Sequence, residues 1–323
     1  MTIVQGDIVG IDSLRQPAMG DFADGLKVRR VLPSSNRLMI GSFILFDHFG
    51  PAVFDAGRGF DMGPHPHIGI AAMTYLFDGE IIHRDNLGEV QAIRPGEVNW
   101  MTAGSGIVHS ERTSPEARTR GSNLFGVQAW VALPSRHEEV APHFAHYGAP
   151  EIPRICADGV EFTLIAGVSD GLVSPARTYS DLVCAEIVLT GSARYQVKPG
   201  YRERAIYVVS GEIEVMGQLG TFGEGEFIML APGTEIVLRA PAFHAARLML
   251  IGGEPLSEPR YIHWNFVSSS VDRIEQAKAD WREGRFPGVP GEQGLMPLPG
   301  GNRAVTVSAA ATSARRRRRY DIE

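Results

Sequence analysis

Apolar residues in this chain come in short, near-continuous runs broken by glycine and proline, and helical three-and-four spacing is rare. Runs such as IGIAAMTYLF and FGVQAWVALP are rich in β-branched and aromatic residues, so they read as strands. With turn signals about every eight to twelve residues, the pattern predicts a barrel or a sandwich. It also repeats. Tyr75-Leu-Phe-Asp-Gly79-Glu-Ile-Ile82 resembles Tyr207-Val-Val-Ser-Gly211-Glu-Ile-Glu214, and Pro95-Gly96-Glu97-Val98 resembles Glu224-Gly225-Glu226-Phe227. In each copy a strand runs into a glycine and a second strand follows at once, which predicts a hairpin turning on that glycine. One segment breaks the pattern: VDRIEQAKADWREGRF, with Ser270 placed to cap it, aligns Ile274, Ala277 and Trp281 on one face of a helix. The expected organisation is all-β, with a first unit over residues 1–145, a second over 146–267, and a helix plus a Pro/Gly/Arg-rich tail over 268–323.

Composition narrows this picture. The chain has 323 residues, 44% hydrophobic and 21% charged, which excludes a disordered or collagen-like polymer and leaves room for two cores. The 37 glycines and 21 prolines suit many tight turns. No apolar run reaches the roughly 20 residues of a membrane span. The start, MTIVQGDIVGID, lacks the basic-then-apolar pattern of a secretory signal, so a cytoplasmic location is expected. Cys156 and Cys184 are too few for a disulfide scaffold and have no metal-type spacing. The net charge of −6 conceals an asymmetry: setting aside residues 315–323, with their five arginines and two acids, takes 31 basic residues to 26 and 37 acidic to 35. An acidic body near −9 argues against gripping a phosphate backbone. The arginine cluster, Arg315 to Arg319, is read as a solvated tail.

Histidine carries the chemical signal. His65-Pro66-His67 places two imidazoles on one face of an extended strand, and His109-Ser110-Glu111 does the same for an imidazole and a carboxylate. Aimed into one barrel, the four side chains make a set suited to a borderline first-row metal with open positions for chemistry. Each pair taken alone is as readily surface polarity or a core hydrogen bond. The repeat separates these readings: in the second copy, His65 and His67 align with Val197 and Pro199, and His109 and Glu111 with Leu238 and Ala240. The scaffold is duplicated and the candidate ligands are not. His83 is a candidate contact to the same site or a turn partner of Asp85 and Asn86. Gln128 and Trp130 could line the pocket mouth, with core packing expected for Trp130, while Phe60, Met62 and Met101 could supply apolar walls. His137, His143 and His146 fall in an expected exposed linker. His48 and His263, beside aromatics, read as satisfied core histidines.

GPHPHIG, YLFDGEIIHRDNLGE and RPGEVNWMTAGSGIVHSE resemble the pirin family of the cupin superfamily, over roughly residues 20–265. The resemblance implies two tandem cupin-type β-barrels (a bicupin) with one metal ion in the first, usually Fe2+, held by His65, His67, His109 and Glu111, and none in the second. Mn, Co, Ni, Cu and Zn are chemically compatible with the same donors. It further implies a quercetin 2,3-dioxygenase-like oxidoreductase that opens a flavonol with O2, with Glu111 as ligand and general base. The alternative is a metal- or redox-sensing regulator that binds protein partners without turnover. One departure stands out. Ala71 occupies a position where many pirins carry an acidic residue, which suggests a lost contact at the site.

Overall fold

The computed structural model describes residues 10–21, 25–34, 37–300 and 305–307; the arginine cluster lies outside them. The expected barrels are flattened, each built from a large and a small antiparallel sheet. In the first, the large sheet runs in the order His143–Tyr147, Val98–Thr102, Ile70–Gly79, Ser122–Ala132, Phe43–Phe54, Lys27–Leu32, Met19–Asp21. Its small sheet runs Asp61–His67, Ile107–Arg112, Ile81–Asp85, Val90–Ile93. In the second, the large sheet carries Phe227–Leu230, Glu203–Ser210, Ala245–Gly253, Leu182–Thr190, Val160–Ser169 and Arg154–Ala157 in order. The short strand Leu172–Val173 attaches to Val160–Ser169. The small sheet, Arg194–Val197, Ile236–Arg239, Glu212–Val215, Phe222–Gly223, repeats the connectivity of its counterpart. The repeat read from the sequence is therefore a repeat of structure.

The glycines within it do a different job from the one expected. The strands on either side of Gly79 pair with other strands and belong to different sheets, and the same holds at Gly211. Both glycines sit at corners where the chain leaves one sheet for the other. Their φ values are 90° and 76°, and a Cβ there would stand 2.1 Å from a carbonyl oxygen of the neighbouring strand, Asn123 or Ala245. Positive φ and close backbone approach, rather than a hairpin, fix both residues.

Side-chain alternation on the central strands divides the interior in two. From Ile70–Gly79, Ala71, Met73 and Tyr75 point toward the second unit, while Ile70, Ala72 and Leu76 point between the sheets of the first. The two large sheets thus pack face to face through one apolar layer that includes Phe43, Phe46, Trp100, Tyr207, Phe227 and Met249. Each such side chain contributes roughly 1.5–3 kcal/mol on burial, so the two units form one body. Ala71 belongs to this layer, on the face of its strand away from the candidate ligands. The expected loss of a site contact at this position does not occur.

The C-terminal helix forms over Val271–Arg282, capped by Ser270 as expected, and buries Ile274, Ala277 and Trp281. It packs against Ile68 and Val108, neighbours of the candidate ligands His67 and His109. A short helix, Pro115–Arg120, starts where Ser114 accepts from the Ala117 amide. The expected exposed linker after residue 133 is partly a strand: His143–Tyr147 pairs with Val98–Thr102, and His146 Nδ1 lies 2.8 Å from Asn99 Oδ1. Among the described residues, no helix is long and apolar enough to cross a membrane.

Candidate metal centre

Two neighbouring strands of the first small sheet carry the candidate ligands. His65 and His67 lie on Asp61–His67, and His109 and Glu111 on Ile107–Arg112, with His109 paired to His65. The register then slips, so that Glu111 faces Met62. A bulge of this kind re-aims side chains, and bulges concentrate beside functional sites. On its other edge Ile107–Arg112 pairs with Ile81–Asp85, which sets His83 opposite Glu111.

All five side chains are buried. The rings of His65, His67 and His109 stand 4.3–5.0 Å apart, centre to centre, and one donor atom from each falls within 4.8 Å of the others. Donor atoms of His83, His109 and Glu111 form a second set of the same closeness, so His109 joins the two. Hydrogen bonds decide which nitrogens are free. His65 Nδ1 lies 2.8 Å from the Gly63 carbonyl, which can only accept, so Nδ1 donates and Nε2 keeps its lone pair. Asp85 Oδ1 accepts from the Leu87 and Glu89 amides, and Oδ2 lies 3.1 Å from His83 Nε2, which therefore donates. With Nε2 donating to Asp85, His83 Nδ1 is placed to accept from His109 Nδ1, 3.3 Å away. That leaves His109 Nε2 without its proton, buried and without a partner, and His67 Nδ1 is likewise buried and unpartnered. Unsatisfied nitrogens are costly in such a place, and a metal ion satisfies them, so the residues fit one.

Electrostatics agrees. Burial drives the His65 imidazole down to about 4, against the Gly63 bond, and holds His67 and His109 well below the usual imidazole range, helped by mutual repulsion with neighbouring rings. Neutral imidazole is the form that binds metals. Burial raises Glu111, opposed by His83 and by hydrogen bonds from Gln128 and Thr74.

A cavity of about 370 Å3 opens from His65 and Glu111. Leu26, Phe49, Phe60, Ile81 and Leu124 form an apolar wall, and Met62 joins them. Met101 instead packs in the core with Ile70 and Phe144. Trp130 packs against that core, as expected, and also lines the cavity, standing edge-on to His67 at 5.0 Å between ring centres. A polar row crosses the large sheet at this level. Thr74, Gln128, Asp47 and Arg30 are successive cross-strand partners, and all four line the cavity. Thr74 Oγ1 donates to Glu111 Oε1 at 3.1 Å, and Gln128 Nε2 donates to Glu111 Oε2 at 3.1 Å. At the far end, Arg30 forks onto Asp47 at 3.0 and 2.7 Å. His48 lies outside the site, with Nδ1 2.7 Å from Tyr207 Oη across the interface between units, and His263 is buried elsewhere.

In the second unit the matching strands hold Val197 and Leu238, packed with Ala240 in a continuous apolar core. Sequence reading missed Thr74, Asp47 and Arg30. A lone threonine facing inward from IGIAAMTYLF was the one available signal.

Comparison with known proteins gives the same frame. A family model described as "Pirin" matches residues 25–131, and one described as "Pirin C-terminal cupin domain" matches 184–287. A pirin-like protein of Caulobacter vibrioides is 45% identical over 289 residues, covering 88% of this chain and 97% of the relative. Pirin-1 of Arabidopsis thaliana is 31% identical over 266 residues, covering 81% and 89%. The crystal structure of a quercetin 2,3-dioxygenase from Acinetobacter baumannii superposes with a TM-score of 0.81 at 33% identity, covering 90% of this chain and 97% of that one.

Proposed function

The chain belongs to the pirin family, with the bicupin fold, and from that premise we propose that it is a metal-dependent dioxygenase opening a flavonol ring with O2. The observation that carries this is the joining of unpartnered imidazole nitrogens and a buried carboxylate to an apolar cavity. His65, His67, His109 and Glu111 would hold the ion, Fe2+ being our choice among first-row metals. A bound divalent metal supplies Lewis acidity and access to O2 chemistry.

The protein's own part follows from the geometry. The apolar wall takes a flat aromatic ring system and keeps water away; about 370 Å3 is within the range of small-molecule sites, roughly 300–1,000 Å3. Glu111, raised by burial, accepts the proton of the substrate hydroxyl as that oxygen enters the site. Thr74 and Gln128 hold its carboxylate in place, and the remaining hydroxyls of the substrate meet donors and acceptors along the polar row.

Metal analysis of protein purified without oxygen, followed by oxygen uptake with quercetin, is the direct test. Glu111→Gln should keep most of its metal and lose about 10²–10⁴-fold in turnover. Full turnover in that variant removes the base role. A chain that loads with metal yet consumes no oxygen with any flavonol favours the regulatory reading.

A further inference from the structure

After the helix the chain returns across the metal strands as an irregular strap, beyond the residues matched by either family domain. The strap is pinned on both sides of the candidate ligands. Glu292 accepts from Arg112 Nε and Nη2, at 3.1 and 2.8 Å, and from Ser110 Oγ at 3.1 Å; Ser110 and Arg112 flank Glu111. The Met296 amide donates to the Pro64 carbonyl at 2.9 Å, next to His65, and the Met296 carbonyl accepts from Trp281 Nε1 at 3.0 Å. Val289 is buried against the core that holds Ile68 and Val108. Gly63 makes room for the crossing: a Cβ there would stand 3.3 Å from the Gly294 carbonyl oxygen. The strap delivers one side chain, Met296, to the cavity wall, where Trp264 and Asn265 also stand.

We propose that this strap is the specificity element of the site and that Met296 limits by size which molecules reach the metal centre. Only the backbone of Met296 makes the hydrogen bonds that anchor the strap here, and its partly buried side chain lines the cavity. A thioether there is adaptable enough to let a flat ring pass and bulky enough to stop a broad one. Glu292 holds the strap in register through its bonds to Arg112, so loosening that contact should relax the same filter.

The inference rests on the metal-centre part of the reading above and not on the flavonol. Its test is the rate at which two chelators with the same donor pair, bipyridine and its broader relative diphenyl-phenanthroline, strip Fe2+ from the loaded full-length chain. Met296→Ala should speed removal by the broad chelator about tenfold and by the narrow one less than about twofold, because only access changes. Met296→Trp should slow the broad one, and Glu292→Gln should follow Met296→Ala. Unchanged melting temperatures show that each variant is folded. Equal acceleration of both chelators, or of neither, overturns the proposal. A chain that takes up no metal overturns it together with the metal centre. One that loads metal but oxidises no flavonol loses only the dioxygenase reading, because the chelator rates still decide the role of the strap.

Discussion

At the scale of single residues, the centre depends on which ring nitrogen carries each proton. Asp85, as an acceptor, makes His83 donate through Nε2, and that choice passes through His83 Nδ1 to His109. Replacing Asp85 with Asn should reverse the chain. An amide turned to keep the Leu87 and Glu89 bonds presents its NH2 to His83, which then carries its proton on Nδ1. His109 Nδ1 must accept, and its Nε2 holds a proton where the metal needs a lone pair. Metal affinity should fall about 10–100-fold with little change in melting temperature; a metal titration in which Asp85→Asn matches wild type would sink the argument. That the candidate ligands cluster was legible because residues at i and i+2 on a strand share a face. Their supports were less so. Asp85 lies two residues from His83, yet its effect on His109 depends on register between strands. Thr74, Asp47 and Arg30 meet Glu111 and Gln128 only after sheets bring together positions far apart in sequence.

Elements show where local patterns stop being informative. The runs YLFDGEII and YVVSGEIE both contain strand, glycine, strand, and a hairpin is the economical reading. What no window of sequence reveals is that each glycine faces the carbonyl of a strand more than thirty residues away, Asn123 or Ala245. Gly79→Ala should therefore cost about 1–3 kcal/mol, from positive φ and from contact with Asn123. Its measure is the shift of the urea midpoint, and a change within error would mean that the corner relaxes freely. The start and buried face of the C-terminal helix were legible, since cap and spacing are local, while its end falls at Arg282, four residues before the expected Phe286. The strand His143–Tyr147 was not, because its Pro- and His-rich flanks mask a pairing supplied by Val98–Thr102.

For the whole molecule, the layer between the two large sheets matters most. His48, from the first unit, meets Tyr207, from the second, in that layer. Burial, with the nearby charge of Arg29, lowers its imidazole from 6.5 to about 4. The unfolded chain therefore binds a proton that the folded chain refuses. This contribution to stability is complete above pH 6.5 and is lost as pH falls toward about 4. The loss is on the order of 3 kcal/mol. Chemical denaturation across that range should show a flatter pH profile for His48→Asn than for wild type; parallel profiles would remove His48 from the account. A last feature lies at the edge of the second large sheet, where Ile11–Arg15 pairs with Phe227–Leu230. The strand and its partner lie about two hundred residues apart in sequence, on opposite sides of the whole first unit. A segment that precedes the first unit in sequence thus completes the sheet of the second. Cutting the gene between the repeats would thus not yield two self-sufficient halves. The later half would be left with an open edge, and the earlier half with a strand that has no sheet to join.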